Sequence, residues 1–408
     1  MDFKDHLSKY LNHKEIEDLI VSLQGKSFSA VLLNKEKMSN NQFISLFPNV
    51  SPHPIIPNAF IYDKYEYQLG KTIFHELGCF YIQEPSAMLV SYLLNPSSED
   101  FVLDMCAAPG GKTIQASLLM KNKGVIISND ISYPRLKALK ENVERMGRAN
   151  IVITNNDFST IDNCFINTFD KIILDAPCSG SGMFRKENKM LQDWTISKVY
   201  KNAEIQKKLI TSAYNMLKPG GTIAYSTCSF SYEEDEEVVS YLLSNTDAEL
   251  IKIEGSPYFY KSKSNIGIHL FPNLFNGEGH YICLIKKPGE LLNKTIIPSK
   301  RLITNGISYI SFDISKFKKL NVLRNGLEIG EDEKYSYQFT HYVTDFSNTL
   351  EISLEDLKKY MKGESLNIAN INGHVLLKYQ GINVDIAKGD GRIIKNKLPK
   401  FIKLKNLI

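Results

Sequence analysis

The sequence predicts an α/β protein whose central part is a parallel β-sheet built from βαβ units. From about Tyr81 onward, short apolar runs alternate with amphipathic segments of helical length. Each apolar run is followed at once by Gly, Asp, Asn, Pro or Ser, which are typical of the loops where such sheets bind ligands. The 408 residues, 43% of them hydrophobic and 23% charged, are typical of a globular chain with several domains.

The first segment of the chain, to about residue 47, is predicted to mix short helices with one strand. The strand is the apolar run Phe28–Leu33. It is followed by Asn49–Asn58, where Pro52, Pro54 and Pro57 fix the backbone and remove N–H donors. This proline-rich stretch is therefore expected to be a connector without regular structure.

The central region contains the strands and helices of the predicted sheet. Apolar residues at three- and four-residue spacing predict helices at Tyr133–Met146 and Asn202–Leu217, the second ending at the Lys-Pro-Gly-Gly sequence 218–221. His280–Lys286 is expected to add an antiparallel strand. The predicted parallel strands are Phe101–Asp104, Val125–Ser128, Ile151–Thr154, Lys171–Asp175 and Thr222–Ser226.

The βα alternation stops after Pro288, so residues from Leu291 onward are expected to form a separate C-terminal module. Near its end, glycine-containing turns separate the strand runs His374–Tyr379 and Ile382–Ile386. The predicted domains are 1–75, an accessory N-terminal segment; 76–288, the central α/β domain; 289–360, an intermediate domain; and 361–408, a C-terminal domain.

Composition and charge restrict the location and the partners. The N-terminal residues are charged throughout, and no apolar run approaches the ~18 residues of a membrane helix. We therefore expect a cytoplasmic protein without membrane contact, whose six cysteines are thiols. The formal net charge is only +4, yet the chain from Ile386 to its end has seven basic residues against one acid, a charge of +6. The rest of the chain is therefore slightly acidic.

The turn after the first parallel strand, in the sequence FVLDMCAAPGGKT, allows two interpretations. A nucleoside triphosphatase loop requires glycine at the position of Cys106, which weakens that interpretation. A nucleoside-binding turn fits better, because Asp104 ends the strand, Gly110 and Gly111 allow a ligand close to the backbone, and a helix begins near Lys112.

Acidic residues at the next strand ends indicate the charge of the ligand. Asp130 lies 20 residues after Gly110, where an acid binds ribose hydroxyls, and Asp157 follows the third strand. Carboxylates at three successive strand ends suit a neutral or cationic nucleoside and repel a triphosphate. S-adenosylmethionine meets this requirement and ATP does not.

Two cysteines follow two further strands, Cys178 in LDAPCSGSG and Cys228 in AYSTCS. Thiols at ligand-binding loops fit methylation of cytosine, because carbon 5 becomes nucleophilic only after a thiolate adds to carbon 6. Asp175 is suited to support charge at N3 and the exocyclic amine, and a second group near the first thiol would assist product release. The acids of Ser231–Glu237, beside Cys228, are interpreted as complementing a helix dipole.

The motifs together resemble the RNA (cytosine-C5) methyltransferases of the NOL/NOP/SUN class. Met183–Lys186, Gly277–Tyr281 and the C-terminal IAKGDGRIIKNKLPKFIK are most similar to its bacterial RsmF-type rRNA branch, which ends in a PUA-like RNA-binding domain. The resemblance implies a Rossmann-like S-adenosylmethionine-dependent methyltransferase core, a small α+β N-terminal segment and a C-terminal PUA-like RNA-binding module. The motifs, in the family's order, are FYIQEPSAM, DMCAAPGGKT, SND, LDAPCSGSGMFRK, LKPGG, YSTCSFSYEEDEEV and GEGHY.

The resemblance also implies the site residues. Cys228 would be the nucleophile that attacks carbon 6, Cys178 would help to release the product, and Asp175 would lie between the cofactor and the target base. The chain departs from the family pattern at Leu32, Ser181, Asp235 and Asn273, which leaves the fine substrate contacts open. The implied S-adenosylmethionine-binding residues are Cys106, Ala107, Ala108, Pro109, Gly110, Gly111, Lys112, Asp130, Arg135, Asp157 and Asp175.

The expected activity is methyl transfer to carbon 5 of a cytosine in 16S rRNA, naked or within the small subunit or its precursor, by a monomer without a metal. The same reaction on tRNA, an RNA-dependent nucleoside triphosphatase and a catalytically idle RNA-binding assembly factor are the alternatives. The basic residues expected to bind RNA are Arg185, Lys186, Lys388, Arg392, Lys395 and Lys400. Residues without a metal-ligand or disulfide pattern, interpreted as structural, are His53, His75, His269, His280, His341, His374, Cys79, Cys164 and Cys283.

Overall fold

The computed structural model of the chain describes residues 2–185, 191–291, 297–304, 307–315, 317–333, 336–339, 346–396 and 398. Short 3-10 helices lie at Leu69–Lys71, Asp162–Cys164 and Ser181–Met183. The described α-helices are α1 (Phe3–Leu7), α2 (His13–Ser22), α3 (Asn40–Leu46), α4 (Ile73–Glu76), α5 (Met88–Leu94), α6 (Gly111–Leu119), α7 (Tyr133–Arg145), α8 (Phe158–Ile161), α9 (Ile196–Met216), α10 (Glu236–Asn245) and α11 (Leu354–Met361).

The strands belong to four sheets. They are β1 (Phe28–Leu33), β2 (Ser51–Pro52), β3 (Ala59–Asp63), β4 (Phe80–Gln83), β5 (Phe101–Asp104), β6 (Val125–Asn129), β7 (Ile151–Thr154), β8 (Phe169–Asp175), β9 (Leu217–Thr227), β10 (Glu249–Ile251), β11 (Ile268–Leu270), β12 (His280–Lys286), β13 (Ser299–Thr304), β14 (Ile307–Phe312), β15 (Val322–Asn325), β16 (Leu327–Glu333), β17 (Ser336–Phe339), β18 (Thr349–Glu351), β19 (Asn372–Tyr379), β20 (Ile382–Asp390) and β21 (Ile394–Lys395).

The central sheet positions the candidate site. Its parallel part has the strand order β9-β8-β5-β6-β7, and β12 pairs antiparallel with β9. Strands β10 and β11 pair with β12. The register of β8 and β9 places Asp175 beside Ser226, so the residues that follow both strands lie at one edge of the sheet.

Both faces of this sheet are covered by helices, as expected for buried parallel strands. Val102 and Ile126 point to one face, where they pack in a cluster with buried residues of α5, α6 and α7. Leu103 and Ile127 point to the other face and share a cluster with residues of α9 and α10. No described helix combines the length and apolar character that spanning a membrane requires.

The predicted central strands are confirmed. Strands β5 and β7 have the predicted bounds, and β6, β8 and β9 include the predicted residues and extend beyond them. The antiparallel strand predicted at His280–Lys286 is β12. The predicted helix Tyr133–Met146 is α7, which ends at Arg145.

One predicted helix end is wrong in its detail. Helix α9 begins at Ile196 and ends at Met216, and the Lys-Pro-Gly-Gly sequence 218–221 lies inside β9. Gly220 has a φ of +79°, and the pairing of β8 with β9 shifts register between Phe169 and Lys171. The glycines therefore accommodate a bulge at the start of a strand and do not cap the helix.

The N-terminal segment forms an antiparallel sheet with the order β2-β3-β1-β4, and β1 has the predicted bounds. Helix α2 begins at a capping box, in which the side chains of Asn12 and Glu15 each accept the backbone N–H of the other residue. Residues Ser51–Pro52 form the edge strand β2, contrary to the predicted connector. An edge strand tolerates proline because the missing N–H faces away from its neighbour.

The described part of the region after Leu291 packs against the preceding sheets. Strand β15 pairs antiparallel with β7 and so extends the central sheet. In the sheet β18-β19-β20-β21, Val375 belongs to the same apolar cluster as Leu357 of α11 and Val31 of the N-terminal sheet. The predicted domain bounds stay a prediction; the sequence shows that each sheet has an apolar face but not which other element covers it.

Candidate active site

A cleft of about 460 Å³ lies at the carboxyl ends of the parallel strands. Parallel α/β sheets bind their ligands at this edge, and the sequence predicts the site residues at the same strand ends. The residues that line it are Met105, Cys106, Asn129, Asp130, Ile131, Arg135, Asn156, Asp157, Phe158, Ser159, Asp175, Ala176, Pro177, Cys178, Gly180, Ile205, Lys208, Leu209 and Cys228. The cleft therefore brings together the predicted cofactor acids and both predicted catalytic cysteines.

The turn between β5 and α6 forms one wall. Gly110 precedes α6 with a φ of +112°, in the left-handed region that favours glycine. A Cβ atom at this position would lie 2.8 Å from a methyl carbon of Leu139. Of the predicted residues Cys106–Lys112, Cys106 lines the cleft. The N-terminus of α6, with its free N–H groups, follows directly.

Asp130 lies at the end of β6 and is almost fully buried. Its carboxylate accepts hydrogen bonds from the backbone N–H groups of Ala108 (3.2 Å) and Ser132 (2.8 Å) and pairs with Arg135 at 3.1 Å. The Arg135 guanidinium also donates to the carbonyl of Ala108. These contacts fix the turn against the next strand and leave carboxylate lone pairs for one further donor.

Asp157 follows β7 and caps α8. It accepts hydrogen bonds from the backbone N–H of Ser159 at 3.0 Å and from the Ser159 hydroxyl at 2.6 Å. Both residues line the cleft. The cap gives this acid a defined position in addition to its predicted role at the ligand.

A buried carboxyl outside the predicted cofactor set lies beneath the turn. Asp104 accepts a hydrogen bond from the hydroxyl of Thr113 at 2.6 Å, and that hydroxyl lies 2.7 Å from the hydroxyl of Ser128. The other oxygen of Asp104 has no hydrogen-bond partner among the described residues. Burial raises the pKa of Asp104 to about 7.

Asp175 is held by three side chains. Lys112 contacts it at 2.7 Å, the Ser226 hydroxyl donates to it at 2.8 Å, and His280 lies 3.2 Å from it. Burial alone would raise the pKa of Asp175, but the Lys112 ammonium and His280 lower it well below its usual range. The carboxylate is therefore ionised and accepts hydrogen bonds.

His280, interpreted from the sequence as structural, contacts Asp175. The sequence contains a signal for it: an antiparallel strand that follows a parallel strand begins at the edge where the parallel strand ends. His280 is the first residue of β12, and its neighbour Tyr281 pairs with Thr227 at the end of β9. The predicted strand bounds thus place His280 beside Asp175.

The sulfur atoms of Cys178 and Cys228 lie 3.1 Å apart. The hydrogen bond with Cys228 and burial raise the pKa of Cys178 well above its usual range. When one thiol of such a pair ionises, the other is held neutral. Cys178 is therefore the thiol of the pair that is held in the neutral form.

The acids that follow Cys228 do more than complement a helix dipole, contrary to the expectation. Glu234 is fully buried and precedes α10. It accepts hydrogen bonds from the backbone N–H of Ser179 (2.8 Å), from the hydroxyls of Ser179 and Ser229, and from the amide of Gln206 (3.2 Å). A run of charged residues does not by itself indicate that these acids are buried.

Two further acids of this segment contact a histidine. Asp235 accepts a hydrogen bond from the Thr227 hydroxyl at 2.5 Å, and His269 lies 3.0 Å from Glu236. Asp235, Glu236 and His269 are buried, and each has an atom that could bind a metal within 4.8 Å of such an atom in the other two. The sequence leads us to expect no metal. The contact of His269 with Glu236 gives two of these residues a partner within the protein.

The residues predicted to bind RNA differ in their surroundings. The Arg185 side chain is 6% exposed, pairs with Glu278 at 2.9 Å and donates to the Gly277 carbonyl. This contradicts a role for Arg185 as a free phosphate ligand, because its donors are committed to buried partners. Arg392 and Lys395 are exposed, and Lys388 is half-buried opposite Lys395 in the β20–β21 hairpin. Lys186 and Lys400 lie outside the described residues.

The remaining histidines and cysteines have varied surroundings. Cys79 and Cys283 are buried, and Cys164 is exposed. His53 accepts hydrogen bonds from the backbone N–H groups of Ile55 and Ile56 within its loop. His75 lies 3.2 Å from Glu76, and His374 is paired in the β19–β20 hairpin. His341 lies outside the described residues.

Family models match most of the chain in three consecutive segments. Residues 91–286 match the model described as 16S rRNA methyltransferase RsmB/F. Residues 1–85 match the N-terminal domain of 16S rRNA methyltransferase RsmF, and residues 347–401 match the methyltransferase RsmF PUA domain.

Curated relatives align over nearly the full length. The chain is 31% identical to the ribosomal RNA small subunit methyltransferase F of Vibrio parahaemolyticus, over 96% of this chain and 95% of that protein. It is 29% identical to the protein of the same name from Shewanella woodyi, over 98% of this chain and 95% of that protein.

Solved structures share the fold of the central region. A methyltransferase homologue from Pyrococcus horikoshii is 28% identical, with a TM-score of 0.62 over 69% of this chain and 93% of that chain. NSun6 from Pyrococcus horikoshii, 22% identical, has a TM-score of 0.63 over 71% of this chain and 98% of that chain. The chain thus combines a Rossmann-like methyltransferase domain with a PUA domain, and it belongs to the RsmB/F family of RNA methyltransferases.

Proposed function

We propose that this protein transfers a methyl group from S-adenosylmethionine to carbon 5 of a cytosine in 16S rRNA, with Cys228 as the nucleophile. The observation that carries the proposal is the pair of sulfur atoms 3.1 Å apart beside the ion-paired Asp175. A thiol that only fills space needs neither a second thiol nor an ionised carboxylate beside it.

The residues of the cleft fit a cationic nucleoside. Asp130 and Asp157 line it, and Asp104 beneath the turn has one carboxyl oxygen without a partner among the described residues. We assign Cys106–Lys112 to the methionine end of S-adenosylmethionine, with Asp104 beneath, and we assign Asp130 with Arg135 to the ribose and Asp157 to the region of the adenine. When bound, S-adenosylmethionine supplies a methyl group on a positively charged sulfur.

Cys228 begins the reaction on the base. Its thiolate adds to carbon 6 of the cytosine, so that a C–S bond forms and the electron pair of the 5,6 double bond becomes available at carbon 5. Cys178, which keeps its proton, donates a hydrogen bond to this thiolate and helps to hold it in position. The target base has to leave its stack to reach the cleft.

Asp175 supports the polar edge of the ring. As an ionised carboxylate it accepts hydrogen bonds from the exocyclic amine and from a protonated N3, while Lys112 balances its charge. This role differs from that of an acid that donates its own proton. Lys112 and His280 keep this half-buried carboxylate ionised.

Product release requires two bonds at the ring to break. A base removes the proton from carbon 5, and the electron pair of that C5–H bond restores the 5,6 double bond. At the same time the C6–S bond breaks, and its electron pair returns to the sulfur of Cys228. We assign the uptake of this proton to Cys178, which can release its own proton to solvent once Cys228 is bonded to carbon 6 and no longer holds Cys178 in the neutral form. Without Cys178 the protein should remain attached to its substrate.

The choice of 16S rRNA over tRNA is supported by the relatives named small subunit methyltransferases and by the match to the RsmF PUA domain. A nucleoside triphosphatase is not supported, because Lys112 is paired with Asp175 and Cys106 replaces the required glycine.

Bisulfite sequencing of rRNA from a strain without this protein tests the proposed substrate. In this strain we expect one or more cytosines of 16S rRNA to lose their protection against bisulfite conversion. Expression of the wild-type protein should restore the protection, whereas expression of Cys228→Ala should not. Unchanged 16S protection together with a lost tRNA signal would contradict the proposal and favour tRNA. No lost signal in any RNA would favour an idle assembly factor.

A further inference from the structure

The loops that carry the two cysteines are joined by one buried carboxylate. Each cysteine is followed by a serine, and the side chains of Ser179 and Ser229 both donate to Glu234. The backbone N–H of Ser179 donates to it as well, at 2.8 Å. Glu234 thus contacts the residue next to Cys178 and the residue next to Cys228.

A third element enters the same network. Gln206 of α9 is fully buried, and its amide donates to Glu234 at 3.2 Å and to the carbonyl of Pro177 at 2.8 Å. Pro177 directly precedes Cys178. The Cys178 loop is therefore held from both sides of the cysteine by groups that meet at one carboxylate.

Glu234 also belongs to the segment that follows the nucleophile. Tyr225 of β9 donates its hydroxyl to the Glu234 carbonyl at 2.5 Å, and the N–H groups of Glu234 and Asp235 bond to the Ser231 carbonyl. Burial raises the pKa of Glu234, while the hydrogen bonds from Ser179, Ser229 and Gln206 lower it. A carboxylate that accepts four donors in a buried place is a rigid connection.

We propose that Glu234 is a positioning residue that fixes the distance between the Cys178 and Cys228 sulfur atoms by binding the serine that follows each of them. This inference rests on the proposed roles of the two cysteines in methyl transfer. It adds a residue that touches neither cofactor nor base. The 3.1 Å separation places the two sulfur atoms in direct contact.

The neighbouring Glu233 provides a matched control. It lies one residue away, yet its carboxylate faces His6 at 3.1 Å and Lys9 at 3.8 Å on the N-terminal helical segment. Among the described residues, the side chains of Ser179 and Ser229 donate to Glu234 and not to Glu233. Glu233→Gln should therefore leave the separation of the sulfur atoms unchanged.

The first test measures this separation without RNA or cofactor. The purified full-length protein is treated with diamide, a thiol oxidant, and the Cys178–Cys228 disulfide is quantified over time by peptide mapping. We expect rapid formation in the wild type and in Glu233→Gln. In Glu234→Ala, and in the double variant Ser179→Ala/Ser229→Ala, formation should slow by about tenfold or more, because the sulfur atoms spend less time in contact.

The double serine variant keeps Glu234 and removes only two hydroxyls, so it separates a positioning role from a general loss of folding. A circular dichroism melt of each variant shows whether the fold is retained. Wild-type disulfide formation in folded Glu234→Ala and in the serine variant would overturn the proposal, whether or not the protein methylates RNA.

The second test measures catalysis. For Glu234→Gln we expect kcat for methyl transfer to fall by about 100-fold, since a displacement of about 1 Å at reacting groups has that effect, with the KM values for RNA and S-adenosylmethionine unchanged. A merely structural role would change both parameters. An unchanged kcat in Glu234→Gln together with slow disulfide formation would show that the separation is not needed for catalysis and would overturn the catalytic part.

Discussion

The ammonium group of Lys112 lies 2.7 Å from a carboxylate oxygen of Asp175. Lys112 occupies the second position of α6, directly after the glycine turn, and Asp175 ends β8. The contact therefore connects the proposed cofactor-binding turn to the loop that carries Cys178. Because Lys112 helps to lower the pKa of Asp175, we propose that this ion pair links the cofactor-binding turn to the carboxylate that would recognise the base.

Replacing Lys112 by Met should raise the pKa of Asp175, because burial then acts without the compensating ammonium. The ionised form would be lost as the pH falls, so the acid limb of the pH–rate profile should move to higher pH. Single-turnover methyl transfer from about pH 5.5 to about pH 9 measures this, with a loss of about 100-fold at neutral pH and partial recovery at alkaline pH.

The matched control for this prediction is Lys121→Met. Lys121 is exposed and follows the opposite end of α6. Its profile should coincide with that of the wild type. A Lys112→Met protein that binds cofactor normally and shows the wild-type acid limb would contradict the assigned role of the ion pair.

Asp104→Asn should stabilise the ligand-free protein near neutral pH. Since burial raises the pKa of Asp104 to about 7, the folded state holds a proton that the unfolded state releases above its ordinary pKa of 3.8. Stability from this group is present below about pH 4 and is lost as the pH rises toward 7, a contribution of at most about 4 kcal/mol.

Thermal melts of the wild type and of Asp104→Asn from about pH 4 to about pH 8 test this prediction, because other titrating groups cancel in the difference. The Tm of Asp104→Asn minus the Tm of the wild type should increase as the pH rises. Asp193→Asn, at an exposed position, serves as the control and should show a constant difference. A constant difference for Asp104→Asn as well would show that its carboxyl titrates normally.

The β20–β21 hairpin is expected to supply phosphate contacts. Lys388 pairs in register with Lys395, and Arg392 lies exposed in the turn between them. Lys395 also lies 3.5 Å from Asp390, but an exposed pair of this kind is weak and does not prevent phosphate binding.

Replacing Lys388, Arg392 and Lys395 together by Ala should weaken binding of 16S rRNA fragments. The plot of log affinity against log salt should become less steep by about 0.7 to 0.9 for each phosphate that the variant no longer neutralises. Filter-binding titrations at several salt concentrations provide the measurement. The control variant Lys121→Ala/Lys123→Ala, at the sheet edge opposite the cleft, should keep the wild-type slope. Equal slopes in the wild type, the triple variant and the control would show that the hairpin makes no phosphate contacts.

The sequence was sufficient to predict what depends on local pattern. Strand ends set the places of Asp130, Asp157, Cys178 and Cys228, and the structure brings all four to one cleft. Motif order identified the family that the comparisons show. These predictions succeeded because residues that follow adjacent parallel strands share one edge of the sheet.

What could not be predicted depends on tertiary burial and pairing. The basic sequence neighbours of Arg185 predict a role in RNA binding, yet it pairs with Glu278, 93 residues away. Glu234 lies in a run of acids before a helix, a pattern interpreted as complementing the helix dipole, and this pattern does not reveal its burial. Its partners Ser179 and Gln206 come from two other elements, and no spacing rule connects them.

Covalent capture of the substrate tests the central claim, that Cys228 attacks the base and Cys178 is needed for release. Purified Cys178→Ala is incubated with 16S rRNA and S-adenosylmethionine and then run on a denaturing gel. We expect an RNA–protein adduct that survives denaturation in Cys178→Ala and is absent in Cys178→Ala/Cys228→Ala. An adduct that persists without Cys228, or normal methylation by Cys228→Ala, would contradict this account.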